Sequence, residues 1–198
     1  MLKVAITGGI GSGKSTVCKF FKELYNVPTF NSDECAREAE NNPEIQKGFK
    51  DLFGDDIFVD GQLDRPKLRS LAFVNKELLT KLNNLVIPFI KEEFAKFVKE
   101  HDAPYCLFES AIIFETKSES NFDLIIAVVA DLDIRIQRVL KRDGMSMDEL
   151  QNKLNVQLPD QFKIDNSDFV ITNNGELLTQ QIVDINNQIR IYLFNSIK

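Results

Sequence analysis

The 198-residue chain has a single histidine, no tryptophan and only three cysteines. Each scarcity removes a class of chemistry. His101 lies in Lys99-Glu100-His101-Asp102, which reads as a solvated helix end, so imidazole catalysis is not expected and the reactive groups must be carboxylates, lysine and arginine. Cys18, Cys35 and Cys106 form no Cys-x-x-Cys pair, which argues against structural zinc and against a disulfide framework. The first residues read as a strand rather than a basic stretch followed by an apolar core, so a reducing, cytoplasmic setting is expected. The longest apolar run, Leu124 to Ala130, is far too short to span a membrane. Positive charge is also in deficit: the formal net charge of −6 argues against a general nucleic-acid binder, which needs a basic face. There is no internal repeat, low-complexity tract or linker. What remains is ordinary for a globular protein, 43% hydrophobic and 27% charged, at a length suited to one well-buried domain with an insertion or two.

Against this background one stretch stands out. Gly8-Gly9-Ile10-Gly11-Ser12-Gly13-Lys14-Ser15-Thr16 follows the apolar run Leu2 to Thr7 and leads into Val17-Cys18-Lys19-Phe20-Phe21. It fits Gly-x-x-x-x-Gly-Lys-Ser with a strand pattern before it and a helical pattern after it. Glycines let the backbone curl until successive N–H groups point inward, and a helix starting at Lys14 or Ser15 aims its positive end at the same spot. Residues 9–16 are therefore the candidate ATP phosphate site. Lys14 would reach the β- and γ-phosphates, Ser15 would ligate Mg²⁺, and Thr16 would support the loop. The bland alternative is a glycine-rich turn with no ligand.

The following elements supply candidate partners. Val27-Pro28-Thr29-Phe30 reads as an edge-like strand ending at Asn31-Ser32-Asp33, where open α/β sheets place ligands. Asp33 is either an N-cap of the next helix or the carboxylate that takes a proton from an acceptor hydroxyl. Arg37 is either a substrate-phosphate ligand or a surface ion-pair partner of Glu34 or Glu38. Residues 41–102 change character, with helical stretches expected over Pro66 to Val74, Lys76 to Leu85 and Pro88 to Lys99. They read as an insertion that holds the second substrate, or as plain packing helices, with Arg65 and Arg69 as anion-binding candidates. Tyr105 to Glu109 reads as a third strand whose acidic end suits Mg²⁺; Glu109 is the candidate metal ligand, with Glu115 as the alternative. Leu124 to Ala130 is a strand buried on both faces. Arg135, Arg138 and Arg142 share one helix face ending at Gly144, and Ser146 to Glu149 form a capping-box signature that opens another helix. That pair reads as a lid closing over ATP, or as a surface helix with ordinary salt bridges. Asp168 to Thr172 is the last strand, Asn173-Asn174-Gly175 a turn, and Glu176 to Ile197 a closing helix.

A phosphate loop alone does not separate a GTPase, a motor and a small-molecule kinase. No Asn-Lys-x-Asp for guanine appears, and the arginine-bearing lid with Asp33 favours a kinase. In order along the chain, Thr7 to Thr16, the Asn31-Ser32-Asp33 corner with Arg37, Arg138, Arg142-Asp143-Gly144, Gln157, and Asp168 through Asn173-x-Gly175 resemble dephospho-coenzyme A kinase over nearly the whole chain. The resemblance implies a three-layer P-loop kinase fold of α/β class, with a mostly parallel sheet, a helical acceptor-binding insertion and a helical lid. It divides the chain into a core at 1–40, 103–134 and 166–198, acceptor-binding helices at 41–102 and a lid at 135–165. It implies ATP- and Mg²⁺-dependent phosphorylation of the ribose 3′-hydroxyl of dephospho-coenzyme A, with Asp33 as base, Arg138 and Arg142 on the lid, and Asn173 and Asn174 near adenine. Small-molecule substrates are the expected partners, with no nucleic acid, membrane or obligate protein partner.

Three positions depart from the family pattern: Asn31 replaces the first aspartate of its pair, Ile87-Pro88 its His-Pro, and Ala111-Ile112-Ile113-Phe114-Glu115 its Pro-Leu-Leu-Phe-Glu. None touches Lys14, Ser15 or Asp33, so activity is expected. A nucleoside or nucleotide kinase of the same architecture, and an ATP-binding module without turnover, are the two rival readings.

Overall fold

Five short apolar segments pair into one parallel sheet in the computed structural model, which describes residues 1–175 and 178–196. The strands are β1 (Leu2–Thr7), β2 (Thr29–Asn31), β5 (Tyr105–Glu109), β6 (Leu124–Val129) and β7 (Phe169–Thr172), in the spatial order β2-β5-β1-β6-β7. The remaining strands, β3 (Phe58–Val59) and β4 (Gln62–Leu63), form a separate antiparallel hairpin. The helices are α1 (Lys14–Tyr25), α2 (Ser32–Ala39), α3 (Pro43–Phe53), α4 (Arg65–Phe73), α5 (Lys76–Glu100), α6 (Leu132–Asp143), α7 (Met147–Val156), α8 (Asp160–Asp165) and α9 (Leu178–Ser196).

By internal packing the chain forms two compact units, residues 1–31 with 100–198, and residues 32–99. The first contains the parallel sheet. Val4, Ile6, Leu107, Ile126 and Val128 project to one face and meet Val17, Cys18 and Phe21 of α1 and Ile182, Ile185 and Ile189 of α9. Their neighbours Ala5, Cys106, Ile125 and Ala127 are also buried, on the opposite side of the pleat, so the central strands are covered on both faces as continuous apolar runs require. Carboxylates tie down strand ends: Asp123 Oδ2 accepts from Lys3 N–H and Asp168 Oδ2 from Ile125 N–H, both at 2.7 Å. Because β1 lies between β5 and β6, the chain changes side of the sheet after β5. The carboxyl ends of β1 and β5 therefore flank a topological switch point, the usual crevice for a ligand.

The second unit packs Ala39, Ile45, Phe49, Ile57 and Leu68 around its own core, joined by Leu82, Leu85, Val86 and Phe89 of α5. Asp60 and Gly61 both adopt positive φ, 50° and 77°, the turn that a two-residue hairpin needs between β3 and β4.

Local structure departs from the sequence reading in a few places. Pro88 does not divide α5, which runs unbroken from Lys76 to Glu100. Proline removes one intrahelical bond, while Leu85, Val86 and Phe89 on either side are held by the same core. The short α8 after Pro159 was not anticipated. Of the closing helix expected over 176–197, Leu178–Ser196 is helical, and Glu176, Leu177 and Ile197 lie outside the described residues. The capping box at Ser146 is present: its Oγ accepts from Glu149 N–H at 3.2 Å, and Glu149 Oε2 accepts from Ser146 N–H at 2.8 Å.

Candidate active site

The first site element is the loop between β1 and α1. Gly13 caps α1 with φ 95°, and a Cβ there would stand 2.0 Å from Asn173 Nδ2, so only glycine serves. The same Asn173 amide donates to Ser12 carbonyl at 2.9 Å, linking the β7–α9 turn to the loop. Lys14 Nζ reaches back over the loop to the carbonyls of Gly8 at 3.0 Å and Gly9 at 3.4 Å. Ser12 N–H is taken by Gly9 carbonyl and Ile10 N–H by Gln157 Oε1, at 3.2 and 2.8 Å. Gly11, Gly13 and the start of α1 present the backbone N–H groups that a helix N-terminus offers an anion.

Three buried polar atoms around this loop have no hydrogen-bond partner among the described residues: Thr7 Oγ1, Ser12 Oγ and Arg138 Nη1. Buried polar atoms are rarely left so. Arg138 Nη1 comes within 3.9 Å of where a Gly13 Cβ would be, so an unpartnered guanidinium edge overlooks the helix start. A polyanion is the partner these groups fit.

The second element is the end of β5. Glu109 is 7% exposed and its Oε1 accepts from Ser15 Oγ at 2.6 Å. It stands in register with Ile6 of β1 and with Asn31 of β2. A hydroxyl and a carboxylate, both hard oxygen donors beside a phosphate loop, suit Mg²⁺, which binds through one or two protein oxygens plus substrate phosphates and keeps several waters. Among the described residues no group of three or more His, Cys, Asp or Glu forms a dedicated metal cage. Cys18, one turn beyond Ser15, is buried, and its thiol is pushed well up, first by burial and then by the Glu109 carboxylate, with Lys14 opposing.

The alternative carboxylate, Glu115, is engaged elsewhere. Its Oε1 accepts from Leu158 N–H at 2.9 Å and pairs with the fully buried Lys163 at 2.9 Å. Along α6 the three arginines differ in environment. Arg135 is buried against Asp160, Arg138 is half-buried beside the loop, and Arg142 is 65% exposed and pairs with Asp143 through two bonds of 2.6 and 2.7 Å. Asn174 is exposed and its Oδ1 accepts from Asp131 N–H at 2.9 Å. Beside Asn173 an open cleft of about 540 Å³ is lined by Phe20, Gly175 and Leu178.

In the second unit, Asp33 is exposed in the first turn of α2, which begins at Ser32, a position where a carboxylate complements the helix dipole. Arg37 is exposed in the last turn of the same helix and makes no ion pair among the described residues. Arg65 opens α4 and pairs with Glu40. The sequence reading did not single out Asp160 or Lys163, since nothing in a surface-like run of polar residues distinguishes the buried ones, and it treated Arg135 only as one of three on a helix face.

A family model described as dephospho-CoA kinase matches residues 2–179. A dephospho-CoA kinase of Bacteroides fragilis is 34% identical over 190 residues, covering 93% of this chain and 91% of the relative. A crystal structure from Thermus thermophilus superposes with a TM-score of 0.83 at 30% identity, covering 96% of this chain and 97% of the other. A dephospho-CoA kinase from Campylobacter jejuni shares the fold with a TM-score of 0.63 at 24% identity, covering 94% and 96%.

Proposed function

The chain belongs to the dephospho-CoA kinase family, a family of ATP-dependent kinases that complete coenzyme A synthesis, and we propose that it phosphorylates the ribose 3′-hydroxyl of dephospho-coenzyme A. The observation that carries the reading is the phosphate loop of a family member with three buried polar atoms left for a ligand, Thr7 Oγ1, Ser12 Oγ and Arg138 Nη1.

In this account the amides of Gly11 and Gly13 and the start of α1 receive the ATP phosphates, and Lys14 exchanges its bonds to the Gly8 and Gly9 carbonyls for phosphate oxygens. Arg138 neutralises charge that spreads over the transferring group, with Arg142 joining from the same helix when its bond to Asp143 is given up. Asp33, two residues past the end of β2, accepts the 3′-hydroxyl proton as the ribose oxygen bonds to the γ-phosphorus and the bridging oxygen departs with ADP. Arg37 and Arg65 receive anionic groups of the acceptor, for which the 41–102 helices form the binding region. Asn173 and Asn174 lie on the adenine side of the site. Ser15 and Glu109 would hold Mg²⁺, which when bound offsets phosphate charge and orients the donor. No helix among the described residues is long and apolar enough to cross a membrane.

The reading is tested by incubating the protein with ATP and dephospho-coenzyme A and identifying the product by mass and by phosphorus NMR. Coenzyme A with its new phosphate at the 3′ position supports it; no product, or phosphate at another hydroxyl, refutes it.

A further inference from the structure

Ile10 stands at the tip of the phosphate loop, and both peptide groups that flank it are held by one distant stretch of chain. Its N–H donates to Gln157 Oε1 at 2.8 Å. Its carbonyl accepts from Arg135 Nε, also at 2.8 Å. Arg135 is itself fixed: its Nη1 bonds Asp160 Oδ2 at 2.6 Å and its side chain is 8% exposed. The packing is close enough to dictate residue type in the loop. A Cβ on Gly9 would lie 2.1 Å from Arg135 Nη2, and one on Gly11 would lie 2.6 Å from the Arg135 carbonyl oxygen. Gly9 and Gly11 are thus required by α6 as well as by a ligand.

The stretch that carries Gln157 and Asp160 is anchored behind this clamp. Leu158 N–H donates to Glu115 Oε1 at 2.9 Å, and Lys163 Nζ donates to Ala111 carbonyl at 2.8 Å while pairing with Glu115. A chain of partly buried polar contacts therefore runs from the segment after β5, through residues 157–163, to the loop tip.

We propose that Arg135 and Gln157 are positioning residues that hold Ile10 by its carbonyl and its N–H and so set the phosphate-accepting shape of the loop before ATP arrives. This rests on residues 9–16 being the ATP phosphate site. Three glycines of the loop, Gly8, Gly11 and Gly13, have positive φ, so a loop without restraint has many conformations and must lose them on binding. Restraint in advance removes that cost from the binding step and keeps the amides aimed without reorganisation. The clamp also takes the Ile10 amide out of the set available to phosphate. A guanidinium suits the task because Nε and Nη1 serve two acceptors at a fixed angle, which a single ammonium does not reproduce.

The test uses the intact protein with Gln157→Leu, Gln157→Glu and Arg135→Lys, and with Lys14→Ala as reference. ATP affinity by calorimetry, KM for each substrate, kcat and the thermal midpoint are measured for each. Gln157→Leu and Arg135→Lys are expected to weaken ATP binding about tenfold, the net worth of one lost hydrogen bond, while KM for dephospho-coenzyme A stays within about twofold. Gln157→Glu keeps an acceptor for Ile10 N–H and is expected to restore ATP affinity to within about threefold of the parent. Unchanged ATP affinity in both Gln157→Leu and Arg135→Lys, with Lys14→Ala abolishing it, overturns the clamp and leaves the phosphate site standing. Normal ATP binding by Lys14→Ala overturns the phosphate site and the clamp with it. Equal losses for both substrates with a lowered thermal midpoint, not rescued by Gln157→Glu, reduce these residues to structural supports and overturn the proposal.

Discussion

Ser15 Oγ donates to Glu109 Oε1 at 2.6 Å, joining the first turn of α1 to the carboxyl end of β5. The bond links two residues far apart in sequence into one pair of hard oxygen donors at the switch point of the sheet.

If that pair holds Mg²⁺, Glu109→Gln keeps the shape and a hydrogen bond to Ser15 but loses the charge. The Mg²⁺ concentration for half-maximal turnover at fixed ATP should then rise roughly ten- to a hundredfold. A Mg²⁺ titration of turnover in parent and variant measures this. Identical curves would remove Glu109 from the metal site.

Asp33 is assigned the acceptor proton. Asp33→Asn should leave ATP affinity within a few-fold and lower turnover on the order of a hundredfold or more, as loss of a general base does. Calorimetry with ATP and steady-state rates with both substrates separate the two effects. An unchanged rate would exclude Asp33 as the base.

The buried pair of Lys163 and Glu115 yields a prediction about stability. Lys163→Met strands a buried carboxylate, whose Oε2 already has no hydrogen-bond partner among the described residues, and should cost about 3–5 kcal/mol. The double variant with Glu115→Leu should recover much of that, because no charge is then left unpaired in the interior. Denaturant unfolding of both variants checks it; a double variant no more stable than Lys163→Met contradicts the reasoning.

The three cysteines make a pH prediction. Burial is the leading cause that raises Cys35 and Cys106 to about 11, and it pushes Cys18 well up. These thiols stay neutral at pH 8, so a thiol-reactive probe should label the native chain slowly and the unfolded chain fast. The unfolded chain releases its thiol protons near pH 9, and the folded chain releases those of Cys35 and Cys106 only near 11. The stability they confer is therefore complete below pH 9 and is lost as pH rises through 11. Thermal midpoints measured across that window should fall; fast labelling of the native chain at pH 8 would contradict the burial argument.

Much of this was legible in the sequence, for reasons specific to each part. The loop at residues 8–16 could be read directly because its backbone needs glycine at fixed positions and a lysine and hydroxyl at fixed offsets, as Gly13 at φ 95° illustrates. The strands could be read from continuous apolar runs. Glu109 was placed at a strand end, yet its bond to Ser15 depended on β5 lying beside β1, a matter of sheet order. Nor does the sequence show that Glu115 pairs with Lys163 while Glu109 meets Ser15. Arg135, Arg138 and Arg142 share a helical face by spacing, but spacing does not say that the first is buried under the loop and the last exposed beside Asp143. Pro88 misled because a proline's local cost is visible in sequence while the packing of Leu85 and Phe89 that offsets it is not.

The measurement that bears most directly on the central claim is ADP release from Mg²⁺-ATP with dephospho-coenzyme A, with adenosine, with AMP, and with no acceptor. The account predicts release only with dephospho-coenzyme A, and its loss in Lys14→Ala. Release with adenosine or AMP alone would make the protein a nucleoside or nucleotide kinase, and ATP binding without release under any condition would contradict catalysis altogether.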